Sequence, residues 1–210
     1  MSAKQPKVVV FDLGKVLLDF DYGIAIRQLV PRMRLTEAGL HALINQSPLL
    51  HDYETGLMST PDFFARVREA SGYTGTFDEF AATFGDIFSE IAPMVELHAA
   101  LHRRGIPTYI LSNTNDLAIR HVRQRFPFFG RFTGHVLSYE HRSMKPAARL
   151  YEVVEEWSGA AGPELIYFDD RPENVETAVA RGWLGCIHHD AAASRGFLEA
   201  TAILHDGPAR

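Results

Sequence analysis

Residues 7–12 read KVVVFD, a short run of β-branched and aromatic residues that ends in a carboxylate. A continuous apolar run of this length is typical of a strand that is buried on both faces, as the strands of a parallel sheet are. Four later runs share this pattern: residues 107–112 (PTYILS), 135–138 (HVLS), 165–169 (LIYFD) and 183–187 (WLGCI). The sequence therefore predicts a sheet of buried strands that begins near the N-terminus.

Helical patterns separate the later strands. One helix is predicted from Pro93 to Arg104, a second covers residues 150–157, and a third begins at Pro172 and stops at Gly182. The apolar residues that we expect to pack inward from these helices are Met94, Leu97, Leu101, Leu150, Val153, Val154, Trp157, Val175, Ala178 and Val179. Alternating helices and buried strands indicate an α/β fold with a Rossmann-like, doubly wound parallel sheet.

Residues 21–90 break this alternation, because they contain helix signals and no convincing strand. Thr60 precedes Pro61 as an expected helix N-cap, and Thr76 with Glu79 has the pattern of a capping box. Apolar core packing is expected for the phenylalanines at helical spacing, which are Phe77, Phe80, Phe84 and Phe88. The predicted organisation is a core formed by residues 1–20 and 91–210, with residues 21–90 inserted as a helical unit.

The composition excludes several classes of protein. The 210 residues are 46% hydrophobic and 22% charged, which is typical of a globular protein and not of a disordered one. A net charge of −5 argues against nucleic-acid binding through backbone phosphates, and the single cysteine, Cys186, excludes a disulfide framework. The apolar runs are far shorter than the roughly 20 residues that span a bilayer, and residues 1–7 lack a signal-peptide pattern. We expect a cytoplasmic protein with no membrane or nucleic-acid partner.

Polar residues cluster where the predicted strands end. In a doubly wound sheet, ligands bind at the carboxyl ends of the strands. The residues at that edge are Asp12, Ser112 with Asn113, Lys145, and Asp169 with Asp170. Each of them alone has an ordinary explanation as a turn residue, a helix cap or a solvated loop residue. Their coincidence at one edge of one sheet favours a common site.

These residue types together suit phosphoryl transfer. Neighbouring carboxylates repel each other and need a hard divalent cation, typically Mg²⁺, to stay ionised together. A hydroxyl and backbone N–H groups at a helix N-terminus bind an anion, and a lysine adds a compact positive charge. A carboxylate in line with that anion can attack phosphorus and form an aspartyl-phosphate. The pattern predicts an enzyme that acts on a phosphate ester.

Four segments in this order resemble the motifs of the haloacid dehalogenase superfamily. The segments are VVVFDLGKV (residues 8–16), ILSN (110–113), MKP (144–146) and YFDDRPEN (167–174). The resemblance implies that Asp12 is the nucleophile and that the helical insertion is a C1 cap. It further implies phosphate binding by Ser112, Asn113 and Lys145, and Mg²⁺ binding by Asp12, the Gly14 carbonyl, Asp170 and, directly or through water, Asp169. FDLG, LSNTN and SMKPAARLY are similar to the α-D-glucose-1-phosphate phosphatase branch.

The first motif departs from the usual phosphatase pattern at Gly14. Phosphatases of this superfamily usually carry a second aspartate there as general acid and base, and losing such a group lowers the rate by about 10²- to 10⁴-fold. An anomeric phosphate, which has a better leaving group, would need less protonation. Another group could replace the aspartate, such as Asp19, Asp21, His51 or a water molecule. Alternatively, the protein is a weak or retired enzyme.

The prediction is a Mg²⁺-dependent phosphatase, a monomer or homodimer, whose substrate is a small phosphorylated metabolite. A sugar phosphate, such as an anomeric sugar 1-phosphate, is the expected class. Substrate specificity is expected from the cap, with His51 as a substrate-binding residue; the neighbouring candidates are Phe20, Tyr22, Tyr53 and Glu54. A metal-independent 2-haloacid dehalogenase and a catalytically impaired binding or regulatory protein are the alternatives. The acid pair at 169–170 favours the phosphatase, because dehalogenases attack carbon without a metal.

Overall fold

The computed structural model describes residues 5–45 and 47–204 of the chain. The strands in this part are β1 (Val8–Phe11), β2 (Leu18–Phe20), β3 (Phe88–Glu90), β4 (Thr108–Ser112), β5 (Gly134–Leu137), β6 (Leu165–Asp169) and β7 (Leu184–Ile187). Five of them form a parallel sheet in the order β5-β4-β1-β6-β7, so the N-terminal strand lies at its centre. This arrangement confirms the doubly wound α/β fold predicted from the sequence.

Helices cover both faces of this sheet and fill the segment between β2 and β3. The α-helices are α1 (Tyr22–Leu29), α2 (Glu37–Asn45), α3 (Pro48–Glu54), α4 (Thr60–Ser71), α5 (Phe77–Gly85), α6 (Ala92–Arg103), α7 (Asp116–Arg125), α8 (Ser138–His141), α9 (Ala148–Ser158), α10 (Pro172–Ala180) and α11 (Ala191–Ala200). Short 3₁₀ turns lie at Val30–Arg32, Pro127–Arg131 and Gly162–Glu164. Every helix in the described residues is too short or too polar to cross a bilayer.

The central position of β1 in the sheet explains why its sequence is uniformly apolar. All four of its residues are buried, because successive side chains enter two different cores. Val9 and Phe11 pack with residues of α6 and α11, whereas Val8 and Val10 pack with residues of α9 and α10. Two residues predicted to pack inward are instead half exposed: Trp157 at 51% and Val179 at 52%. Both lie in the last turn of their helix. Helical periodicity alone does not show where the buried face of a helix ends.

Helices α1 to α5 form one unit, the helical insertion, with its own aromatic core. The rings of Tyr53 and Phe63 stack at 4.3 Å between centroids, and those of Phe80 and Phe84 stack at 5.5 Å. The predicted capping box is confirmed at the start of α5, where Thr76 and Glu79 bond each other's backbone N–H. The phenylalanines of α5 therefore pack in this core as predicted: Phe80 and Phe84 are buried in it, and Phe77 packs against it.

Three details of the insertion differ from the prediction. Residues 21–90 do contain a strand, β3, which pairs antiparallel with β2; it is short and half exposed, so no apolar run marks it. Phe88 lies on this strand, because α5 ends at Gly85. The N-cap of α4 is Ser59, which accepts from the Asp62 N–H; Thr60 is the first helical residue.

Side-chain hydrogen bonds hold the helical insertion on the core. Thr60 Oγ1 donates to Asp116 Oδ2 at 2.6 Å, and the Leu117 N–H donates to the Tyr53 hydroxyl at 3.1 Å. Ser138 Oγ donates to the backbone carbonyl of Glu54. These bonds connect α3 and α4 to the start of α7 and α8, both of which follow carboxyl ends of the sheet strands. The insertion is thereby seated over the edge where the sequence predicts a site.

Candidate active site

The predicted site residues meet at the carboxyl edge of the sheet. Asp12 directly follows β1, Ser112 ends β4 and Asp169 ends β6, and these three strands are neighbours with β1 in the middle. The Asp12 N–H donates to the Phe168 carbonyl at 2.8 Å, which fixes its backbone to the adjacent strand. A cavity of about 260 Å³ opens here, which we call the central cavity. Its core wall includes Asp12, Gly14, Ser112, Asn113, Lys145 and Asp170.

Lys145 joins two of the carboxylates. Its Nζ atom lies 3.0 Å from Asp12 Oδ1 and 2.6 Å from Asp169 Oδ2, and all three side chains are almost entirely buried. Burial alone would lower the pKa of Lys145, but the charges of Asp12 and Asp169 outweigh it and raise that pKa above its ordinary value. The lysine therefore remains charged at the base of the cavity.

Asp169 holds Lys145 and is itself held by protein donors. Tyr167 donates its hydroxyl to Oδ2, the Arg171 N–H donates to Oδ1 at 2.9 Å, and the Asn174 amide reaches both oxygens at 3.0 and 3.1 Å. Burial opposes ionisation of Asp169, but the charge and hydrogen bond of Lys145 hold its pKa below the usual range. The residue is fully buried and, unlike Asp170, does not line the cavity. This geometry makes Asp169 a residue that positions Lys145.

The three acids of the site carry more negative charge than Lys145 can offset. Burial raises the pKa of Asp12 to about 7 against the opposing charge of Lys145. Burial, followed by the charge of Asp169, raises the pKa of Asp170. Asp12, Asp169 and Asp170 each present a carboxylate oxygen within 4.8 Å of the others, and a single lysine offsets them. A hard divalent cation fits this donor set, because it would remove the repulsion between the carboxylates.

The Ser112–Asn113 segment supplies a hydroxyl and orders the lysine loop. The Ser112 hydroxyl contacts the Asn113 carbonyl at 3.5 Å, which is at the limit of a hydrogen bond, so it can donate to a ligand instead. The Asn113 side chain pairs with the backbone of Lys145 rather than facing the cavity with its amide. The next helix, α7, is capped by Asn115, which accepts from the Ala118 N–H at 3.0 Å.

An aromatic ring fills the space beside Gly14. A Cβ atom placed on Gly14 would lie 2.8 Å from Cε1 of Phe20, closer than real Cβ contacts allow. The Phe20 ring is held by Tyr22, at 5.8 Å between centroids, and by the ammonium of Lys15, 4.7 Å from the ring centroid. A side chain at position 14 is therefore excluded by packing unless Phe20 moves.

The structure places the expected substitutes for a second aspartate away from the cavity wall. His51 is exposed, with its ring 3.6 Å from Asp52. Asp19 forms an exposed ion pair with Lys15, and Asp21 caps α1 by accepting from the Gly23 N–H at 2.7 Å. None of His51, Asp19 and Asp21 is among the described residues that line the central cavity.

The opposite wall of the cavity contains a carboxyl group that spacing did not single out. This wall comes from β2, β3 and the helical insertion and includes Phe20, Tyr22, Leu50, Glu54 and Phe88. Glu54 is partly buried, and the Tyr22 hydroxyl lies 3.4 Å from its Oε1. Burial raises the pKa of Glu54 to about 7. The sequence placed this residue in a general specificity cluster, and no motif or spacing distinguished it from its neighbours.

Comparison with known proteins gives a family match over most of the chain. The model of the haloacid dehalogenase-like hydrolases matches residues 6–182. A sesquiterpene phosphatase, astK, from Aspergillus oryzae is 26% identical over 191 residues, which are 90% of this chain and 92% of the relative. A D-ribitol-5-phosphate phosphatase from Bacteroides thetaiotaomicron is 23% identical over 184 residues, which are 84% of this chain and 89% of that enzyme.

A solved structure is similar to this chain over most of its length. The enzyme bt-2542 of the same family from Bacteroides thetaiotaomicron, in complex with magnesium and inorganic phosphate, superposes with a TM-score of 0.73 at 25% sequence identity. The match covers 86% of this chain and 93% of that enzyme.

Proposed function

We propose that this chain, which belongs to the haloacid dehalogenase-like hydrolase family, is a Mg²⁺-dependent phosphatase of small phosphate monoesters. The family match confirms the resemblance seen in the motifs and the prediction of a hydrolase. The observation that carries the phosphatase proposal is the buried Lys145 shared by Asp12 and Asp169 beneath a cavity that also exposes Asp170. A nucleophile, a cation and an unpaired acid around one cavity suit phosphoryl transfer. The phosphatase activity of the relatives supports it.

Magnesium would be held by the groups that line the central cavity. In this proposal the ligands are the carboxylates of Asp12 and Asp170 and the backbone carbonyl of Gly14. Asp169 is left out of direct coordination, because its oxygens already accept from Lys145, Tyr167, Asn174 and the Arg171 N–H. When bound, the ion supplies positive charge that offsets the charge of the transferring phosphoryl group.

The chain's own residues then carry the chemistry. Asp12 receives the Lys145 contact and the Leu13 N–H bond on Oδ1, so we assign Oδ2 as the oxygen that attacks phosphorus. The attack forms an aspartyl-phosphate and releases the alcohol; water then attacks phosphorus, the bond from phosphorus to the Asp12 oxygen breaks, and inorganic phosphate leaves with Asp12 restored. Ser112, the Asn113 backbone N–H and Lys145 would bind the non-bridging oxygens through the transfer.

The helical insertion is the proposed cap that selects the leaving group. Its wall of the cavity combines Tyr22 and Glu54, which can bond hydroxyls, with the apolar side chains of Leu50 and Phe88. A polyol has both hydroxyls and a carbon skeleton, so a sugar-sized phosphate, such as an anomeric sugar 1-phosphate, suits this wall. The D-ribitol-5-phosphate phosphatase relative supports this class. His51 lies outside the wall, so we do not retain it as a substrate contact in this conformation.

The buried charges favour this function over the two alternatives. A dehalogenase reaction at carbon gives no reason to keep Asp170 beside Asp12 with a raised pKa. A binding protein without catalysis gives no reason to bury Lys145 between Asp12 and Asp169, since a buried ion pair is weak evidence for stability. Both arrangements are explained by a metal-assisted transfer to Asp12.

A substrate screen tests the proposal. Sugar 1-phosphates, alditol phosphates and a terpenyl phosphate are assayed for phosphate release with Mg²⁺ and with EDTA, with Asp12→Asn as the inactive control. We expect Mg²⁺-dependent turnover that Asp12→Asn abolishes. Turnover that survives Asp12→Asn, or is indifferent to EDTA, contradicts the mechanism. Turnover of 2-haloacids instead supports the dehalogenase, and no turnover of any compound supports the binding protein.

Thermal unfolding tests the metal ligands without an activity assay. A ligand that binds only the folded state raises the midpoint temperature. Mg²⁺ should raise the midpoint of the wild type and have much less effect on Asp170→Asn. Glu176→Gln, an exposed acid on α10, is the matched control and should respond as the wild type does. An equal Mg²⁺ response in Asp170→Asn would exclude Asp170 as a ligand.

A further inference from the structure

The proposed phosphatase lacks a visible proton donor at its first motif. Departure of an alcohol from phosphorus is accelerated by a group that protonates its oxygen, and such groups contribute about 10²- to 10⁴-fold. Gly14 carries no side chain, and the Phe20 ring occupies the adjacent space. A proton donor must therefore come from another part of the cavity wall.

Only one carboxyl group among the described residues that line the central cavity has no role assigned so far. Among the described residues that line it, the acids are Asp12, Glu54 and Asp170, and histidine is absent. Asp12 is the nucleophile, and Asp170 is assigned to the metal. Glu54 comes from the helical insertion, on the side where the leaving alcohol must lie if the phosphoryl group is bound by the core.

The surroundings of Glu54 suit a group that both gives and takes a proton. In the described part of the chain no lysine or arginine forms an ion pair with it. The Tyr22 hydroxyl at 3.4 Å, the Asn115 side chain and the charge of His51 favour its ionised form, but burial is the larger effect and raises its pKa to about 7. Both protonation states are therefore accessible near neutral pH.

Hydrogen bonds to the backbone of Glu54 and to its neighbours hold its side chain at the cavity. Glu54 ends α3, and its backbone carbonyl accepts from Ser138 Oγ at the start of α8. Its neighbour Tyr53 is buried and bonds Thr60 and the Leu117 N–H. Docking thus uses the backbone of Glu54 and the side chains around it, which leaves the Glu54 carboxyl for the cavity.

We propose that Glu54 is the general acid and base of this enzyme, replacing the aspartate that position 14 lacks; the inference rests on the proposed phosphatase function. In the first step Asp12 bonds to phosphorus, the bond from phosphorus to the ester oxygen breaks, and that oxygen takes the proton of the Glu54 carboxyl. In the second step water bonds to phosphorus and gives a proton to the Glu54 carboxylate, the bond from phosphorus to the Asp12 oxygen breaks, and inorganic phosphate leaves. Asp12 and the acid form of Glu54 are both restored.

The test compares two leaving groups in Glu54→Gln. With an alkyl or sugar phosphate, which needs protonation, kcat should fall about 10²- to 10⁴-fold. With p-nitrophenyl phosphate the first step needs no acid, so the variant should release one equivalent of p-nitrophenol in a burst. It should then turn over slowly, because the aspartyl-phosphate lacks its base. Mass spectrometry of the quenched variant should detect the phosphate on Asp12.

A matched control and a pH profile complete the test. Glu69→Gln changes an exposed glutamate of the same insertion and should behave as the wild type. In single turnovers of an alkyl phosphate, Glu54 should set the alkaline side of the pH profile, where the wild-type rate falls with a midpoint at about 7. Tyr22→Phe should move this midpoint to higher pH, because it removes a hydrogen bond that favours the carboxylate. This second variant keeps the inference testable if Glu54→Gln does not fold.

The outcomes separate this inference from the function on which it rests. Equal losses with both leaving groups and no burst, or a higher KM with unchanged kcat, would make Glu54 a substrate contact and overturn its role in proton transfer. A pH midpoint that Tyr22→Phe leaves in place would also overturn it. Absence of phosphatase activity in the wild type overturns the proposed function itself.

Discussion

The side-chain amide of Asn113 pairs with the backbone of Lys145 through two hydrogen bonds. Asn113 Oδ1 accepts from the Lys145 N–H at 2.7 Å, and Asn113 Nδ2 donates to the Lys145 carbonyl at 3.0 Å. The pair links the end of β4 to a loop 32 residues further along the chain. Its effect is to fix the backbone from which the Lys145 side chain reaches Asp12 and Asp169.

Removing these two hydrogen bonds, which we call the Asn113 clamp, should reduce both stability and activity. In Asn113→Ala, two backbone groups of Lys145 lose their partners, and an unpaired buried polar group costs about 1–3 kcal/mol. We expect a loss of that size in urea unfolding and a fall in kcat/KM. Asn113→Asp keeps the acceptor for the Lys145 N–H but places a second oxygen against the Lys145 carbonyl, so it should also be destabilised. Equal unfolding free energies for the wild type and Asn113→Ala would contradict the clamp.

The ion pair between Lys145 and Asp169 should show a strong interaction in a double-mutant cycle. Lys145→Met leaves two buried carboxylates without their cation, and breaking a buried pair in this way costs about 3–5 kcal/mol. Adding Asp169→Asn removes one of the stranded charges, so the double variant should be more stable than Lys145→Met alone. Phosphate release should be absent in both.

Urea unfolding of the four proteins in the cycle measures this interaction. Additive losses of free energy would mean that Lys145 and Asp169 do not stabilise each other. Activity in the double variant would mean that Lys145 is dispensable for phosphoryl transfer. The first result concerns the pair, and the second concerns the proposed mechanism, so the two measurements remain independent.

Much of the fold follows from the sequence because the three central strands of the sheet, β1, β4 and β6, are buried on both faces. The apolar run of β1 and the acid that ends it are adjacent in the chain, so one short segment indicates both the strand and the position of Asp12. The same holds for β6 and Asp169. Residues at the ends of parallel strands share one edge of the sheet whatever the connecting helices do.

Contacts made when the insertion docks were not predictable in this way. The pairing of β2 with β3 joins Phe20 to Phe88, and neither strand has an apolar run to mark it. The position of Glu54 in the cavity wall depends on bonds such as that from Ser138 Oγ to its carbonyl. Such contacts join distant parts of the chain, and periodicity within one element carries no information about them.

Restoring an aspartate at position 14 should not by itself improve the enzyme. In Gly14→Asp, the new Cβ would lie 2.8 Å from Cε1 of Phe20, so the ring must leave its contacts with Tyr22 and Lys15. Overpacking of this kind costs about 1–3 kcal/mol. We expect a lower unfolding free energy and no increase in kcat.

The companion variant Phe20→Ala separates the steric conflict from the chemistry. Gly14→Asp should destabilise the Phe20→Ala background less than the wild type, because the ring is gone. Urea unfolding of the four proteins measures this difference, and kcat is measured in parallel. An unchanged stability of the single Gly14→Asp variant would show that Phe20 moves at no cost.

His98 should make the protein less stable in mild acid. The side chain is fully buried on α6, its ring stacks on Phe132 at 3.8 Å, Nε2 pairs with Thr108 Oγ1, and Nδ1 has no partner in the described structure. Burial, and then the positive charges of His102 and Arg131, lower the pKa of His98 from 6.5 to about 4. Between pH 6.5 and about 4, His98 is therefore protonated in the unfolded chain and neutral in the folded chain.

Because the unfolded state binds more protons in this range, this contribution to stability is present above pH 6.5 and is lost as the pH falls toward 4. At 1.36 kcal/mol per pKa unit, the loss between pH 7 and pH 5 is about 2 kcal/mol.

His98→Phe keeps the stacking and removes the titrating group, so its unfolding free energy should fall by about 2 kcal/mol less than that of the wild type over this interval. His41→Gln, at an exposed position of α2, is the control and should retain the wild-type dependence. Urea titrations at both pH values measure the difference, and the same pH dependence in His98→Phe as in the wild type would assign the acid sensitivity to other groups.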